Sequence, residues 1–199
     1  MSGLIGAAAA LYNPYMAHVI EPASSGRAKC RSCNQPIARG ALRFGERQPN
    51  SFGEGEMTLW FHLRCGAYSR PEAFLEVAST APPDALLDTL SAAAHFGIEH
   101  RRVPRIHGAG RAPSGRAHCR ACKELIAKGD WRIALVFFEE YRFDPGGYLH
   151  VTCARTYFET TDVLERIRHF TPDLSEAELA ELAATLASQN QRSCASIPT

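Results

Sequence analysis

The pattern of hydrophobic and polar positions occurs twice along the chain. Each copy predicts, in order, an extended segment, a strand, a loop, a returning strand and then helices. Alternating apolar residues predict strands over 17–21, 41–47, 102–107 and 131–138, and returning strands that end with Trp60-Phe61 and Tyr148-Leu149. Apolar residues at helical spacing predict helices over 71–78, 84–96, 153–170 and 175–188. This order indicates an α+β fold of two small units, each a short antiparallel sheet followed by helices.

Residues typical of turns and caps mark the ends of these elements. Gly53, Gly55 and the run Pro145-Gly146-Gly147 predict loop tips. The run from Ser175 to Glu178 predicts a capping box at the start of the last helix. The predicted boundaries are a flexible segment over 1–15, a first unit over 16–99, a basic linker and strand over 100–113, a second unit over 114–189 and a flexible tail over 190–199.

A direct repeat accounts for the double pattern. The segment Ser-Gly-Arg-Ala-Lys-Cys-Arg-Ser-Cys ends at Cys33, and it returns as Ser-Gly-Arg-Ala-His-Cys-Arg-Ala-Cys ending at Cys122. Each copy is followed by a His-x-x-Cys motif, which begins at His62 and at His150. Self-similarity at this period indicates two structural units of about ninety residues.

The repeated cysteines and histidines have the pattern of metal ligands. Three thiols and one imidazole at paired spacing suit a closed tetrahedral zinc site. The predicted ligands are Cys30, Cys33, His62 and Cys65 in the first site, and Cys119, Cys122, His150 and Cys153 in the second. Two Zn²⁺ ions are therefore expected, one per unit. Four protein donors leave no open position for water, which argues against metal-assisted hydrolysis.

Two other uses of the cysteines fit the sequence less well. Redox-active Cys-x-x-Cys pairs do not account for the repeated His-x-x-Cys. A disulfide framework would favour an even number of cysteines and a secretory signal, but the chain has seven, and residues 1–16 have no basic residue. We expect neither a signal peptide nor a membrane span there, and we expect Cys194 to be a free thiol.

The near-neutral charge hides two basic patches. The formal net charge is +1, but the segment from Arg27 to Arg47 contains six Arg or Lys residues and one acid, Glu46. The segment from Arg101 to Arg132 contains nine Arg or Lys residues and two acids. Each patch surrounds one predicted metal site, and clustered basic residues are typical of nucleic-acid binding.

The repeated motif resembles a known family of zinc finger. Ser-Gly-Arg-Ala-x-Cys-x-x-Cys, an isoleucine, Gly-x-Leu/Trp-Arg and aromatic-x-His-x-x-Cys together resemble the zinc finger of the poly(ADP-ribose) polymerase type, which also occurs in a DNA ligase that seals single-strand breaks. The resemblance covers residues 16–98 and 103–189. It implies binding to DNA breaks. The 199 residues leave no room for an ADP-ribosyltransferase, BRCT or ligase domain, so we expect no enzymatic activity.

The resemblance also implies two sets of DNA-binding residues. The family's phosphate-binding arginines correspond to Arg27, Arg43, Arg116 and Arg132. The hydrophobic residues that stack on the base pair exposed at a break correspond to Phe52 with Met57 in the first unit and to Phe143, with Tyr148 or Leu149 beside it, in the second. The alternative for the arginines is a solvated charged face or packing over the metal site. The alternative for the apolar residues is burial in the core.

These patterns together predict a DNA-binding protein that recognises nicks, gaps or ends in double-stranded DNA through phosphate contacts and base stacking. We expect it to be monomeric when free, to have no membrane partner, and to lie in the cytoplasm with the nucleoid of a bacterium or in the nucleus of a eukaryote. The alternative is a zinc-stabilised protein-interaction or RNA-binding adaptor, because a fold of this kind does not fix function.

Overall fold

Two three-stranded antiparallel sheets organise the computed structural model, which describes residues 18–50, 53–81 and 84–192. The first unit consists of strands β1 (Val19–Pro22), β2 (Leu42–Pro49) and β3 (Glu56–His62), followed by helices α1 (Leu63–Ser69), α2 (Pro71–Ala78) and α3 (Ala85–Glu99). The strands lie in the order β1-β2-β3. Phe44 and Phe61, which face each other across β2 and β3, are fully buried and form the centre of this unit's core.

The second unit repeats this arrangement. It consists of strands β4 (Ile106–Arg111), β5 (Trp131–Glu139) and β6 (Arg142–His150), and helices α4 (Ala154–Phe158), α5 (Leu164–Phe170) and α6 (Glu176–Arg192), with 3₁₀ turns over Val103–Arg105 and Val151–Cys153. The strand order is β4-β5-β6. The predicted α+β class with two small sheets, each followed by helices, is confirmed. Within the described ranges, no helix is long and apolar enough to cross a membrane.

Local signals in the sequence place several element ends correctly. The predicted capping box at the start of α6 is present: the Ser175 backbone N–H donates to the Glu178 carboxylate at 2.9 Å, and the Glu178 N–H donates to the Ser175 hydroxyl at 3.3 Å. Helix α3 begins after Asp84, whose carboxylate accepts from the Leu86 N–H at 2.9 Å. Both contacts satisfy N–H groups that a helix start leaves without partners.

The prediction of one helix over 153–170 is wrong, because that segment divides into α4 and α5. Glu159 ends α4 in the left-handed conformation with φ +64°. The Asp162 N–H then bonds to the Thr160 hydroxyl at 3.1 Å, which replaces a helical hydrogen bond with a local turn. Helix α1 was not predicted; it begins directly after His62.

The prediction that Pro145-Gly146-Gly147 forms a loop tip is also wrong. These residues lie inside β6, where the register with β5 shifts between Leu135 and Val136. Gly147 has φ +89°, and a Cβ at Gly146 would lie 2.6 Å from the Phe137 ring. Glycines in a strand often mark such a bulge. The tip of the hairpin is instead Glu140-Tyr141.

The two units pack against each other through helix α5 and the β5–β6 hairpin. Phe143 and Phe170 from the second unit contact the core of the first. The His107 ring stacks on Phe170 at 5.7 Å, and its Nε2 lies 3.1 Å from the Ser32 carbonyl oxygen of the first unit. These contacts join residues far apart in the sequence, so the units share an interface.

Arg166 is the central polar residue of this interface. Its side chain is 4 % exposed and donates to the Tyr68 carbonyl at 2.7 Å and to the Ala93 carbonyl at 2.7 Å. Its guanidinium also lies 4.4 Å from the centroid of the Tyr68 ring. Burial lowers the pKa of Arg166 to about 10, so the side chain stays charged at neutral pH. One cation from α5 thus fixes both α1 and α3 of the first unit.

We expect Arg166→Ala to destabilise the protein by about 3 kcal/mol, because it leaves one buried and one partly buried carbonyl oxygen without a charged donor. Chemical denaturation measures this change. The matched control is Arg168→Ala, which removes an exposed arginine from the same helix and breaks only its surface ion pair with Glu176. Equal losses of stability in the two variants would contradict the role assigned to Arg166.

Candidate metal centres and nucleic-acid interface

The four predicted donors of the first unit lie together. The ligand atoms of Cys30, Cys33, His62 and Cys65 are all within 4.8 Å of one another. The two N-terminal cysteines lie on a tight turn, His62 ends β3, and Cys65 lies in the first turn of α1. The turn closes with the Cys30 N–H bonded to the Gln35 carbonyl at 2.9 Å and the Asn34 N–H bonded to the Cys30 carbonyl at 2.9 Å.

The second unit builds its site in the same way. The ligand atoms of Cys119, Cys122, His150 and Cys153 are also within 4.8 Å of one another. The Lys123 N–H bonds to the Cys119 carbonyl at 2.9 Å, and Lys123 has φ +70°, as Asn34 has φ +58° in the first unit. The two Cys-x-x-Cys turns therefore have one geometry, and we call each a zinc loop, residues 27–36 and 116–125.

The histidines present the same nitrogen to each site. His62 Nε2 lies 3.2 Å from the Pro36 carbonyl oxygen, and His150 Nε2 lies 3.1 Å from that of Leu125. Each Nε2–H therefore donates to a carbonyl, which leaves Nδ1 as the metal donor. Nδ1 lies 3.4 Å from Cys33 Sγ in the first site and 3.5 Å from Cys122 Sγ in the second.

The electrostatics of the first site favour a cation. Hydrogen bonding to Cys30 and Cys33 raises the pKa of His62 to about 10. Hydrogen bonds from Cys33 and Cys65 hold the pKa of Cys30 far below its usual range, so Cys30 is a thiolate that a cation can bind. Three sulfurs and one imidazole are the donors that Zn²⁺ prefers in closed structural sites, so both sites fit zinc. Zinc bound there joins the zinc loop to the end of the last strand.

The two sites differ in their surroundings. The first cysteine is buried in both sites, but Cys33 is half-buried where Cys122 is exposed, and Cys65 is buried where Cys153 is half-buried. His169 of α5 also lies against the first site, with its Nε2 3.1 Å from Cys65 Sγ. Burial lowers the pKa of His169 to about 4, so the neutral ring can donate Nε2–H to the sulfur. A residue of the second unit thus supports the metal site of the first.

Comparison with known proteins agrees with this geometry. Residues 21–87 match the family described as the poly(ADP-ribose) polymerase and DNA-ligase Zn-finger region. Residues 21–87 are thus similar to a zinc finger of this family. The second unit has the same donor set, zinc loop and strand order, so the chain contains two fingers in tandem. We call the units finger one and finger two from here on.

Relatives of known type match over different lengths. Poly(ADP-ribose) polymerase 1 of Caenorhabditis elegans is 40% identical over 53 residues, which is 27% of this chain and 6% of that protein. Poly(ADP-ribose) polymerase 1 of Oryza sativa subsp. japonica is 28% identical over 155 residues, 70% of this chain and 14% of that protein. A polynucleotide 3′-phosphatase of Arabidopsis thaliana is 26% identical over 176 residues, 75% of this chain and 25% of that protein. The chain thus spans a quarter or less of these relatives.

The first pair of predicted DNA-binding arginines lies on the zinc loops. Arg27 and Arg116 are both exposed, at the same position of the two fingers. In the described part of the chain, neither side chain has an ion pair or hydrogen bond. Both are free to contact an anion.

The second pair of arginines differs between the fingers. Arg43 is 7 % exposed, lies 3.4 Å from the centroid of the Trp60 ring, and forms an ion pair with Glu21 at 2.6 Å. Arg132 is half-buried and lies 3.6 Å from the centroid of the Tyr148 ring. Glu21 is the partner of Arg43 across β1 and β2, but Gly110 takes that place opposite Arg132. Among the described residues, finger one alone therefore neutralises this arginine.

The predicted stacking residues do not form equivalent surfaces. Phe52 lies outside the described residues. Met57 is half-buried and packs against the core of finger one. Phe143 lies in β6 rather than in a loop, and its ring is 4.9 Å from that of Phe138 and 6.2 Å from that of Phe61 in finger one. Its role in base stacking stays a prediction.

Sequence reasoning missed three features of the site. The rings of Trp60 and Tyr148 hold the second arginine pair, and their position before each metal-binding histidine was the signal available. Glu21 could have been found by comparing the copies, because its counterpart carries no charge. The contact of His169 with Cys65 has no signal in the sequence, since it joins residues 104 apart.

We expect the purified protein to bind two equivalents of zinc. The variant Cys122→Ser should bind one, because only three donors remain in its second site. Release of zinc to a colorimetric chelator in denaturant measures the stoichiometry. Cys194→Ser is the matched control; this cysteine lies outside the described residues and outside both motifs, and its loss should leave two equivalents. One equivalent in the control variant would contradict the assigned ligands.

We expect His169→Ala to speed release of zinc from finger one by about tenfold, because ligands lose affinity when a supporting hydrogen bond is removed. Transfer of zinc from the native protein to a chelator should show a fast phase from the exposed site of finger two and a slow phase from finger one. Only the slow phase should accelerate. His95→Ala, an exposed histidine of α3, serves as the control. An unchanged slow phase would rule out the proposed support.

Proposed function

We propose that this protein binds double-stranded DNA at strand breaks, meaning nicks, gaps or ends, through phosphate contacts and base stacking. The observation that carries the proposal is the pair of exposed arginines, Arg27 and Arg116, at one position on two zinc loops of the same geometry. The zinc-finger family that matches residues 21–87 is described by poly(ADP-ribose) polymerase and DNA ligase. The name of one relative places its substrate at the 3′ end of a polynucleotide.

Phosphate contact explains binding without sequence preference. Arginine binds phosphate through parallel hydrogen bonds, and such contacts carry no information about the bases. The zinc holds each loop in shape, so Arg27 and Arg116 project from fixed backbone positions. Affinity from these contacts falls steeply with salt, because each neutralised phosphate releases counterions.

The two arginines of the second pair, Arg43 and Arg132, contribute unequally to phosphate binding. Arg132 stacks on Tyr148 and has no carboxylate beside it among the described residues, so its guanidinium can bind a phosphate. Arg43 is held by Glu21, and a phosphate must compete with that carboxylate. Finger two therefore contributes more phosphate affinity through this pair than finger one does.

Recognition of the break itself requires an apolar surface on the exposed base pair. A flat side chain can cover a base face whatever its sequence, so Phe52 supplies this contact from the β2–β3 loop in our proposal. Phe143 supplies it in finger two only if its ring leaves Phe61 and Phe138. Finger one is thus the principal stacking finger.

The test uses a DNA dumbbell with and without one nick, measured by fluorescence anisotropy at two salt concentrations. We expect the wild type to prefer the nicked form. Arg132→Ala should weaken binding by about tenfold and reduce the salt slope by about one, since one phosphate contact is lost. Arg43→Ala should have a smaller effect, and Glu21→Gln should strengthen binding, because it frees Arg43.

Phe52→Ala should reduce the preference for the nicked form while leaving the salt slope unchanged, because it removes no charge. Equal affinity of the wild type for the nicked and closed dumbbells would contradict break recognition. Tighter binding to an RNA hairpin than to either dumbbell would favour an RNA-binding adaptor instead.

A further inference from the structure

A cleft of about 930 Å³ lies between the two fingers. Finger one contributes Arg27, Lys29 and Arg31 from its zinc loop and Trp60 from β3, and finger two contributes Tyr148 from β6. The volume lies in the range of about 300–1,000 Å³ that ligand-binding clefts occupy. It borders the first metal site, because Cys30 is among its lining residues, and it shares Arg27 with the predicted phosphate-binding residues; Arg116 and Arg132 of finger two do not line it.

The cleft is positively charged. In addition to the three basic residues of the zinc loop, Arg142 lines it, and no Asp or Glu does so among the described residues. Arg142 has its own partner in Asp144 at 2.9 Å. The side chains of Arg27, Lys29 and Arg31 are exposed and have no ion pair in the described part of the chain. A row of unpaired cations along one wall fits a phosphate backbone.

Two equivalent aromatic rings also line the cleft. Trp60 and Tyr148 occupy the same position before the metal-binding histidine of each finger, and both have an arginine against the ring, Arg43 at 3.4 Å and Arg132 at 3.6 Å. Trp60 and Tyr148 are half-buried and line the cleft, whereas neither of these arginines does. Aromatic rings beside a basic wall are typical of sites for unpaired nucleotides.

The contacts between the fingers keep the cleft open. His107, which itself lines the cleft, lies 3.1 Å from the Ser32 carbonyl oxygen on the other finger, and Arg166 joins α5 to α1 and α3. The two walls therefore hold their separation before any ligand arrives. A pre-formed site costs less ordering entropy when the ligand binds.

We propose that this cleft binds single-stranded DNA that extends from a break, with its phosphates on Arg27, Lys29 and Arg31 and its bases against Trp60 and Tyr148. A duplex keeps its bases stacked inside, so only unpaired bases can reach these rings. The inference rests on the proposed function, and it adds an overhang or the open strand of a gap to the structures that the protein recognises.

The experiment compares a nicked dumbbell with a dumbbell that carries a single-stranded thymidine extension at the nick. The extension should tighten binding of the wild type about tenfold through stacking and added phosphate contacts. Arg31→Ala should abolish most of this gain while it leaves affinity for the simple nick unchanged. The matched control is Arg120→Ala, which removes the same residue from the zinc loop of finger two and does not line the cleft.

Tryptophan fluorescence measures directly whether the bases contact Trp60. The chain has two tryptophans, and Trp131 is buried in finger two, so quenching by the extension reports on Trp60. Trp60→Phe should lose the quenching and keep the affinity gain, because an aromatic ring remains; Trp60→Ala should lose both. The zinc content of each variant confirms that the fold is retained.

The outcomes separate this inference from the proposed function. Binding to the nick with no gain from the extension overturns the cleft site and leaves break recognition intact. Equal binding to nicked and closed dumbbells overturns break recognition, and quenching of Trp60 by free oligothymidylate would then still support the cleft. An equal loss of the gain in Arg31→Ala and Arg120→Ala overturns the assignment to the cleft.

Discussion

In each finger, four metal donors join a tight Cys-x-x-Cys turn to the end of the last strand and to the start of the helical part. The rest of the fold depends on this junction, because a three-stranded sheet with short helices buries little apolar surface by itself. The free energy of zinc binding therefore becomes folding free energy. The same turn carries Arg27 in finger one and Arg116 in finger two. The ion that stabilises the finger thus also orients its charged residues.

The second constraint is the interface between the fingers, and it involves the first metal site. Arg166 holds two helices of finger one, and His169, three residues later, contacts the zinc ligand Cys65. Two fingers on a flexible tether would gain only a raised effective concentration at a shared target. Two packed fingers present their surfaces in a fixed orientation, which removes part of the entropy cost of binding. The interface thus turns two small modules into one recognition surface.

The sequence was enough to predict how each finger folds around its metal donors, but not how the two fingers pack against each other. The metal ligands, the fold class and the capping box at Ser175 follow from local spacing, and the structure agrees with them. The break after α4 depends on one left-handed residue, Glu159, and the strand through Gly146 depends on packing against Phe137. Arg166 and His169 act on residues of the other copy, which lie 98 and 104 positions away, so comparing the repeats gave no reason to single them out.

The two fingers differ in function at the positions where the two copies of the sequence differ. Both fingers keep the zinc loop, the exposed arginine and the arginine stacked on an aromatic ring. Only finger one has Glu21 against that second arginine, which lowers the positive potential on the side of the sheet where Arg43 lies. Three of its cations without an ion pair among the described residues, Arg27, Lys29 and Arg31, lie on the zinc loop and line the inter-finger cleft. If both proposals hold, finger two binds duplex phosphates more strongly through Arg132. Finger one presents basic residues of its zinc loop to the unpaired strand in the cleft. This division needs a fixed angle between the fingers, and the buried contacts of Arg166 supply it.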